Sequence, residues 1–171
     1  MKKIICFGVI VTVFLCGCRR PVEFSVVPEI KFIQFEQNNP KENEGTLVFY
    51  FQDGDGDIGL NGTDVYPPFN LGAIYYYNFF CDYYEKQNGV FVKIDSVETD
   101  KGFEPFNFNG RIPRLSDVFG GESISGEIVH IISPYYYDIF SPYSDTIQLK
   151  FYIVDRNLNH SNIEEVIIIR K

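Results

Sequence analysis

The chain has 171 residues, 45% of them hydrophobic and 17% aromatic, with 12 Tyr and 17 Phe, enough apolar material for a core and unlike a disordered, collagenous, coiled-coil or multi-span membrane chain. Its 15 Lys+Arg against 23 Asp+Glu give a formal charge of -8, which excludes nucleic acid as a partner because phosphates need a basic face to displace their counterions. Aromatic side chains fit a pleated, half-buried surface, so the bias points to strands in one domain.

In chain order, Lys2 and Lys3 precede an apolar run over residues 4–15, followed by Cys16-Gly17-Cys18. The run is too short for a membrane span, which needs roughly 20 residues, and residues 1–17 are therefore expected to be a cleaved export signal. Leu15-Cys16-Gly17-Cys18 resembles the bacterial lipobox, with Cys16 where Ala or Ser is commoner. The resemblance implies a lipoprotein. Cys18 would become the mature N-terminus, with a diacylglycerol thioether on its thiol and a fatty acyl group such as palmitate on its amine. Two or more such chains hold a protein stably on a membrane. The implied location is the bacterial envelope, lipid-anchored to the outer membrane. Arg19-Arg20-Pro21 lacks the acidic cluster that surface-displayed lipoproteins often carry, so the periplasmic face is expected. Cleavage removes Lys2 and Lys3 and takes the formal charge from -8 to -10. Cys6 and Cys16 leave with the signal and Cys18 carries lipid, so Cys81 stands alone and no disulfide framework supports the fold.

Residues 18–27 read as a tether and residues 28–171 as the folded domain. Strands are expected at residues 30–35 and 45–52, the second alternating Leu47, Phe49 and Phe51 against Thr46, Val48 and Tyr50. Over residues 74–84 period two places Tyr75, Tyr77, Phe79, Cys81 and Tyr83 on one face and Asn78 and Asp82 on the other, which makes Cys81 a buried, inert thiol. Gln87-Asn88-Gly89 turns the chain into a hairpin partner carrying Val90, Val92 and Ile94. Residues 99–122 are rich in Gly and Pro and read as irregular, with at most one helical turn over residues 115–119. Strands resume at 124–132, 146–154 and 163–169, and in the middle one Ile147, Leu149, Phe151 and Ile153 point inward. Short alternating strands without a repeat or a long helix predict an all-β fold, a single immunoglobulin-like antiparallel β-sandwich after a lipoprotein signal peptide.

The chemistry concentrates at Asp53-Gly54-Asp55-Gly56-Asp57-Ile58-Gly59, directly after the second strand. Three carboxylates at alternate positions repel by roughly 4 kcal/mol per pair at about 4 Å, so their convergence calls for a cation. Calcium takes oxygen ligands, and the interleaved glycines permit a tight backbone path. Gly59, Asn61 and Asp64 fall at the spacing of later EF-hand ligands, but Ile58 stands where that loop needs Gly, and a strand precedes it. The expectation is a calcium loop on β scaffolding. A second polar loop, Asp155-Arg156-Asn157-Leu158-Asn159-His160-Ser161-Asn162, separates the last two strands. In an immunoglobulin-like sandwich the second and penultimate strands run the same way, so both loops emerge at one end. The expected metal site is therefore Asp53, Asp55 and Asp57, completed by Asp155 or Asn157. With these two motifs the mature chain resembles a group of Bacteroidota lipoproteins in which Asp-Gly-Asp-Gly-Asp-Ile-Gly follows an early strand and Asp-Arg-x-Leu-Asn-x-Ser-Asn precedes the last. That resemblance implies fold and location.

His130 and His160 have no reactive Cys or Gly-x-Ser-x-Gly beside them, and Glu104, Glu122, Glu127, Glu164 and Glu165 form no recognisable acid pair, so no catalytic residues are assigned. Tyr75-Tyr76-Tyr77 and Tyr135-Tyr136-Tyr137 would offer aromatic contact to a glycan or an envelope protein, although alternation turns about half of them to the core. The sequence thus predicts a binding or structural module. An envelope hydrolase or its accessory subunit is the alternative.

Overall fold

The computed structural model describes residues 24–38, 43–115 and 121–170. The expected signal segment and Cys18 lie outside them, as does the helical turn expected after Leu115. Among the described residues nine strands form: β1 (Glu29–Gln37), β2 (Gly45–Asp53), β3 (Phe79–Gln87), β4 (Val90–Lys93), β5 (Ser96–Thr99), β6 (Gly102–Pro105), β7 (Ile124–Ile132), β8 (Thr146–Ile153) and β9 (Glu164–Ile169). Every pairing is antiparallel. One sheet has the order β1-β2-β7 and the facing sheet β4-β3-β8-β9, with β5-β6 a separate hairpin. The first strand lies beside the second, and in the opposite sheet β8 pairs with β3 and β9 lies outside β8, which is the strand arrangement of an immunoglobulin-like sandwich. No helix in the described residues is long and apolar enough to cross a membrane.

Period two explains the core. Leu47, Phe49 and Phe51 of β2 face Phe79, Cys81 and Tyr83 of β3 and Ile147, Leu149, Phe151 and Ile153 of β8, all buried. Phe49 stacks on Phe79 at 5.7 Å between ring centroids and leans on Phe151 at 5.4 Å. The sheets are also stitched at one edge. Ile30 N and Phe32 N of β1 donate to Asn162 Oδ1 (2.8 Å) and Glu164 Oε2 (2.9 Å), so side chains at the start of β9 occupy donors that an open edge would leave to solvent.

Two expectations are corrected. The aromatic stretch is not one strand from residue 74: Ile74–Tyr76 is a single 3-10 turn and β3 begins at Phe79. The cause is Asn78, expected on the outer face but buried, whose amide closes a two-way bond with Ile112: Ile112 N donates to Oδ1 (2.6 Å) and Nδ2 donates to the Ile112 carbonyl (3.1 Å). Tyr75 and Tyr77 are consequently off the inner row, and Tyr77 is exposed. The region expected to be irregular, residues 99–122, contains β6, which pairs with β5 just before it. Its β6 residues are all exposed, so it carries none of the alternation that reveals a half-buried strand.

Candidate metal centre

Asp53 continues the inward row Leu47, Phe49, Phe51 by one more step of two, which carries a carboxylate to the rim of the core with no exposed surface. The chain then turns under two constraints that only glycine meets. At Gly54 a Cβ would collide with the backbone of Phe24 and Ser25, and Gly54 N donates to Ser25 O at 2.7 Å. Gly56 has φ of +67° and its Cβ position is filled by the Glu122 carbonyl. This path turns Asp55 and Asp57 back toward Asp53, and one carboxylate oxygen from each of the three lies within 4.8 Å of the others.

The hydrogen bonding divides each carboxylate in two. Asp53 Oδ2 accepts from Asp57 N (3.0 Å), Asp57 Oδ2 from Asn157 N (3.1 Å) and Asp55 Oδ2 from Asn157 Nδ2 (3.3 Å). The three Oδ1 atoms are buried and accept nothing. Buried polar atoms are nearly always partnered, because an unmade hydrogen bond costs roughly 1–3 kcal/mol and more for a charge. Burial first, and then the charge of Asp55, push the Asp53 carboxyl up to about 7. Burial and the charge of Asp155 push Asp57 up to about 6. The donor set is all oxygen, hard and anionic. Ligand oxygens about 2.3–2.6 Å from a calcium ion stand at most about 5 Å apart, so the spacing of these three suits a single such ion.

The two polar loops do meet at one end of the sandwich, across roughly a hundred residues of sequence. Asn157 is the link, donating to both Asp55 and Asp57. Asp155 is buried close enough to raise Asp53 and Asp57, but its own oxygens are engaged: Asn159 N donates to Oδ1 (2.7 Å) and Asn159 Nδ2 to Oδ2 (2.8 Å). Burial is also the main reason that its own carboxyl is raised. The EF-hand-like continuation does not join the cluster. Asp64 takes two bonds from the Arg156 guanidinium (2.6 and 3.1 Å) and one from Asn61 N, and the Arg156 bonds hold its carboxyl below the usual range. Ile58 and Leu60 are buried, which accounts for an apolar residue where an EF-hand needs Gly.

Sequence reading missed Asn159, which orients Asp155, and Arg111, whose guanidinium reaches the carbonyls of Asn61, Asp64, Phe69 and Tyr76 and holds down the long connection from β2 to β3. Asn159 stands within the Asp-Arg-x-Leu-Asn motif, whereas Arg111 has no local sequence signature. The remaining candidates are otherwise engaged. Cys81 is a free, fully buried thiol whose pKa burial pushes far up. His130 packs on Phe79 at 4.4 Å, burial lowering its pKa, and His160 stacks on Tyr152 at 5.4 Å. Glu164 accepts from Phe32 N and Glu165 pairs with Lys150 at 3.3 Å. Of the second Tyr run, Tyr136 and Tyr137 are buried and Tyr135 alone is exposed. Comparison with protein-family models, with curated proteins and with solved structures gives no match.

Proposed function

We propose that the protein is a lipid-anchored module of the bacterial envelope, with a binding or structural role, whose β-sandwich takes one calcium ion on Asp53, Asp55 and Asp57. The observation that carries the cation is three buried Oδ1 atoms that accept no hydrogen bond, on carboxylates that each bring one oxygen within 4.8 Å of the others and whose Oδ2 atoms are already held. Three like charges in so small a volume are costly, and an ion at the same point turns that cost into ligation. One free oxygen per carboxylate gives monodentate ligands only, and the expected dissociation constant is that of extracellular modules, about 10⁻⁴ to 10⁻³ M. The role is structural. The ion ties the end of β2 to the loop between β8 and β9 through Asn157, and so joins the two sheets where no disulfide does.

The lipid anchor rests on Leu15-Cys16-Gly17-Cys18 and on the short apolar run before it. The likeness to Bacteroidota lipoproteins supports the same location. Calorimetric titration of the purified protein with calcium tests the ion: heat saturating in the millimolar range supports it, and no heat on wild type overturns it. Cys18→Ala tests the anchor, with release from the membrane fraction and loss of fatty-acid labelling as the expected result. Retention of both would refute it.

A further inference from the structure

The loop that carries the three carboxylates, with Ser123 and Asn159, also holds residues 24–26. Gly54, between Asp53 and Asp55, donates its N–H to Ser25 O at 2.7 Å and accepts from Ser123 Oγ at 3.1 Å. Ser123 Oγ in turn receives Phe24 N at 3.5 Å. Val26 O accepts from Asn159 Nδ2 at 3.4 Å, and the same amide nitrogen holds Asp155 Oδ2. Gly121 N donates to Asp55 O at 3.1 Å. The N-terminal segment is thus fixed by groups that belong to the acidic loop or hold its neighbours, and between the half-buried Phe24 and the buried Pro28 its residues Ser25, Val26 and Val27 are exposed and contribute little burial. Few apolar contacts and solvent-facing hydrogen bonds are the features of a segment that opens locally at low cost.

We infer that occupancy of the Asp53-Asp55-Asp57 site by a divalent cation fastens residues 24–28 to the sandwich, and that loss of the cation releases them. The inference rests on the cation reading above. It does not rest on acidity alone, because Asp53 has no exposed surface, its Oδ1 accepts no hydrogen bond, and one of its oxygens lies within 4.8 Å of an oxygen from each of the other two carboxylates. Without an ion the three charges separate most readily by moving Asp55, which swings the peptide of Gly54 and breaks its bonds to Ser25 and Ser123. With an ion the alternate side chains are drawn to one point, and the Gly54 peptide is fixed between two ligands. A clasp at this place sets whether the domain stands rigidly on its N-terminal tether or pivots on it.

The test is amide hydrogen exchange on the full chain in detergent micelles, with millimolar calcium and with chelator, alongside calcium titration by calorimetry. Calcium is expected to slow exchange about 10-fold or more in peptides covering residues 24–28 and Gly54, a selective local effect beyond any shared change in the strands. Ser123→Ala removes the hydroxyl of the clasp without touching a carboxylate, and should keep calcium binding while losing most of the protection at 24–28. If calorimetry detects no binding, the cation reading falls and the clasp with it. If calcium binds and exchange at 24–28 is unchanged, or is slowed equally in Ser123→Ala, the clasp is wrong and the cation site stands.

Discussion

The sandwich buries Glu85 at one end and Asp53, with Asp155 close by, at the other, and treats Glu85 and Asp53 in opposite ways. Glu85 of β3 sits beside the start of β8, opposite Ile147, and both its oxygens are occupied: Tyr83 Oη donates to Oε1 (3.0 Å), while Ser141 Oγ (2.7 Å) and Gln87 Nε2 (3.4 Å) donate to Oε2. Asp53 sits at the other end, beyond the last core residue of β2, where its nearest acidic neighbours are Asp55, Asp57 and Asp155. Neutral hydroxyl and amide donors make the Glu85 end self-sufficient. At the Asp53 end three buried oxygens accept no hydrogen bond from the described residues. The difference teaches that burial of an acid is not in itself a sign of function; what marks a site is burial without donors.

The sharpest break in this comparison comes from calcium itself. At about 100 times its dissociation constant the ion should stabilise the fold by roughly 2.7 kcal/mol, or about 5–10 °C in the melting midpoint for a domain of this size. Asp55→Asn should abolish that response. In chelator, Asp53→Asn should melt higher than wild type, because it removes a buried charge set beside those of Asp55, Asp57 and Asp155. An unchanged wild-type midpoint with and without calcium would remove the distinction between the two ends.

Acidity should act on the Asp53 end in a defined direction. The folded Asp53 carboxyl is raised from 3.8 to about 7 and that of Asp57 to about 6, so the folded protein holds protons that the unfolded chain gives up. Their contribution to stability is full below about pH 4 and is lost as the pH rises through about 6 to 7. Chelated protein should therefore gain about 2 kcal/mol between pH 8 and pH 5. Calcium at pH 8 should remove most of that dependence, because the ion replaces the protons. Melts across pH with and without chelator would read both arms.

A smaller effect is expected at the opposite end. Glu85→Gln turns an acceptor toward donors as a donor, and should cost about 1–2 kcal/mol by the same amount with or without calcium. A calcium-dependent loss in this variant would mean that the two ends are coupled through the sheets. The smallest effect concerns neither end. Cys81, buried and with its thiol pKa raised, should react with a bulky thiol reagent only on the timescale of unfolding, and rapid labelling of the native protein would contradict its place in the core.

Much of the architecture was legible in the residues. The inward row Ile147, Leu149, Phe151 and Ile153 is buried as alternation requires, and Cys81 falls inside because period two fixes its face once Phe79 and Tyr83 are inside. Asp53 was readable by the same rule as the next inward position after Phe51. The alternate acids separated by glycines already implied convergence, since the spacing and the backbone freedom are both local. Where alternation was taken too far, at Tyr75 and Tyr77, a side chain distant in sequence from its partner overrode it: Asn78 binds the backbone of Ile112 and ends the strand.

Tertiary structure alone decided which acids share a site and what each oxygen does. Asp64 stands at a ligand spacing in the sequence, yet Arg156, far along the chain, takes it away from the cluster. Asp155 is drawn near Asp53, yet Asn159 occupies both its oxygens, while Asn157 reaches across to Asp55 and Asp57. The hydrogen bonds of Gly54 to Ser25 and Ser123, and of Phe24 to Ser123, join three segments with no common motif. The physical reason is the range of the information. Side-chain alternation and glycine freedom are properties of neighbouring residues, whereas a hydrogen-bond partner is chosen by whatever donor the closed sandwich brings within about 3 Å, and that choice is made only when the two sheets meet.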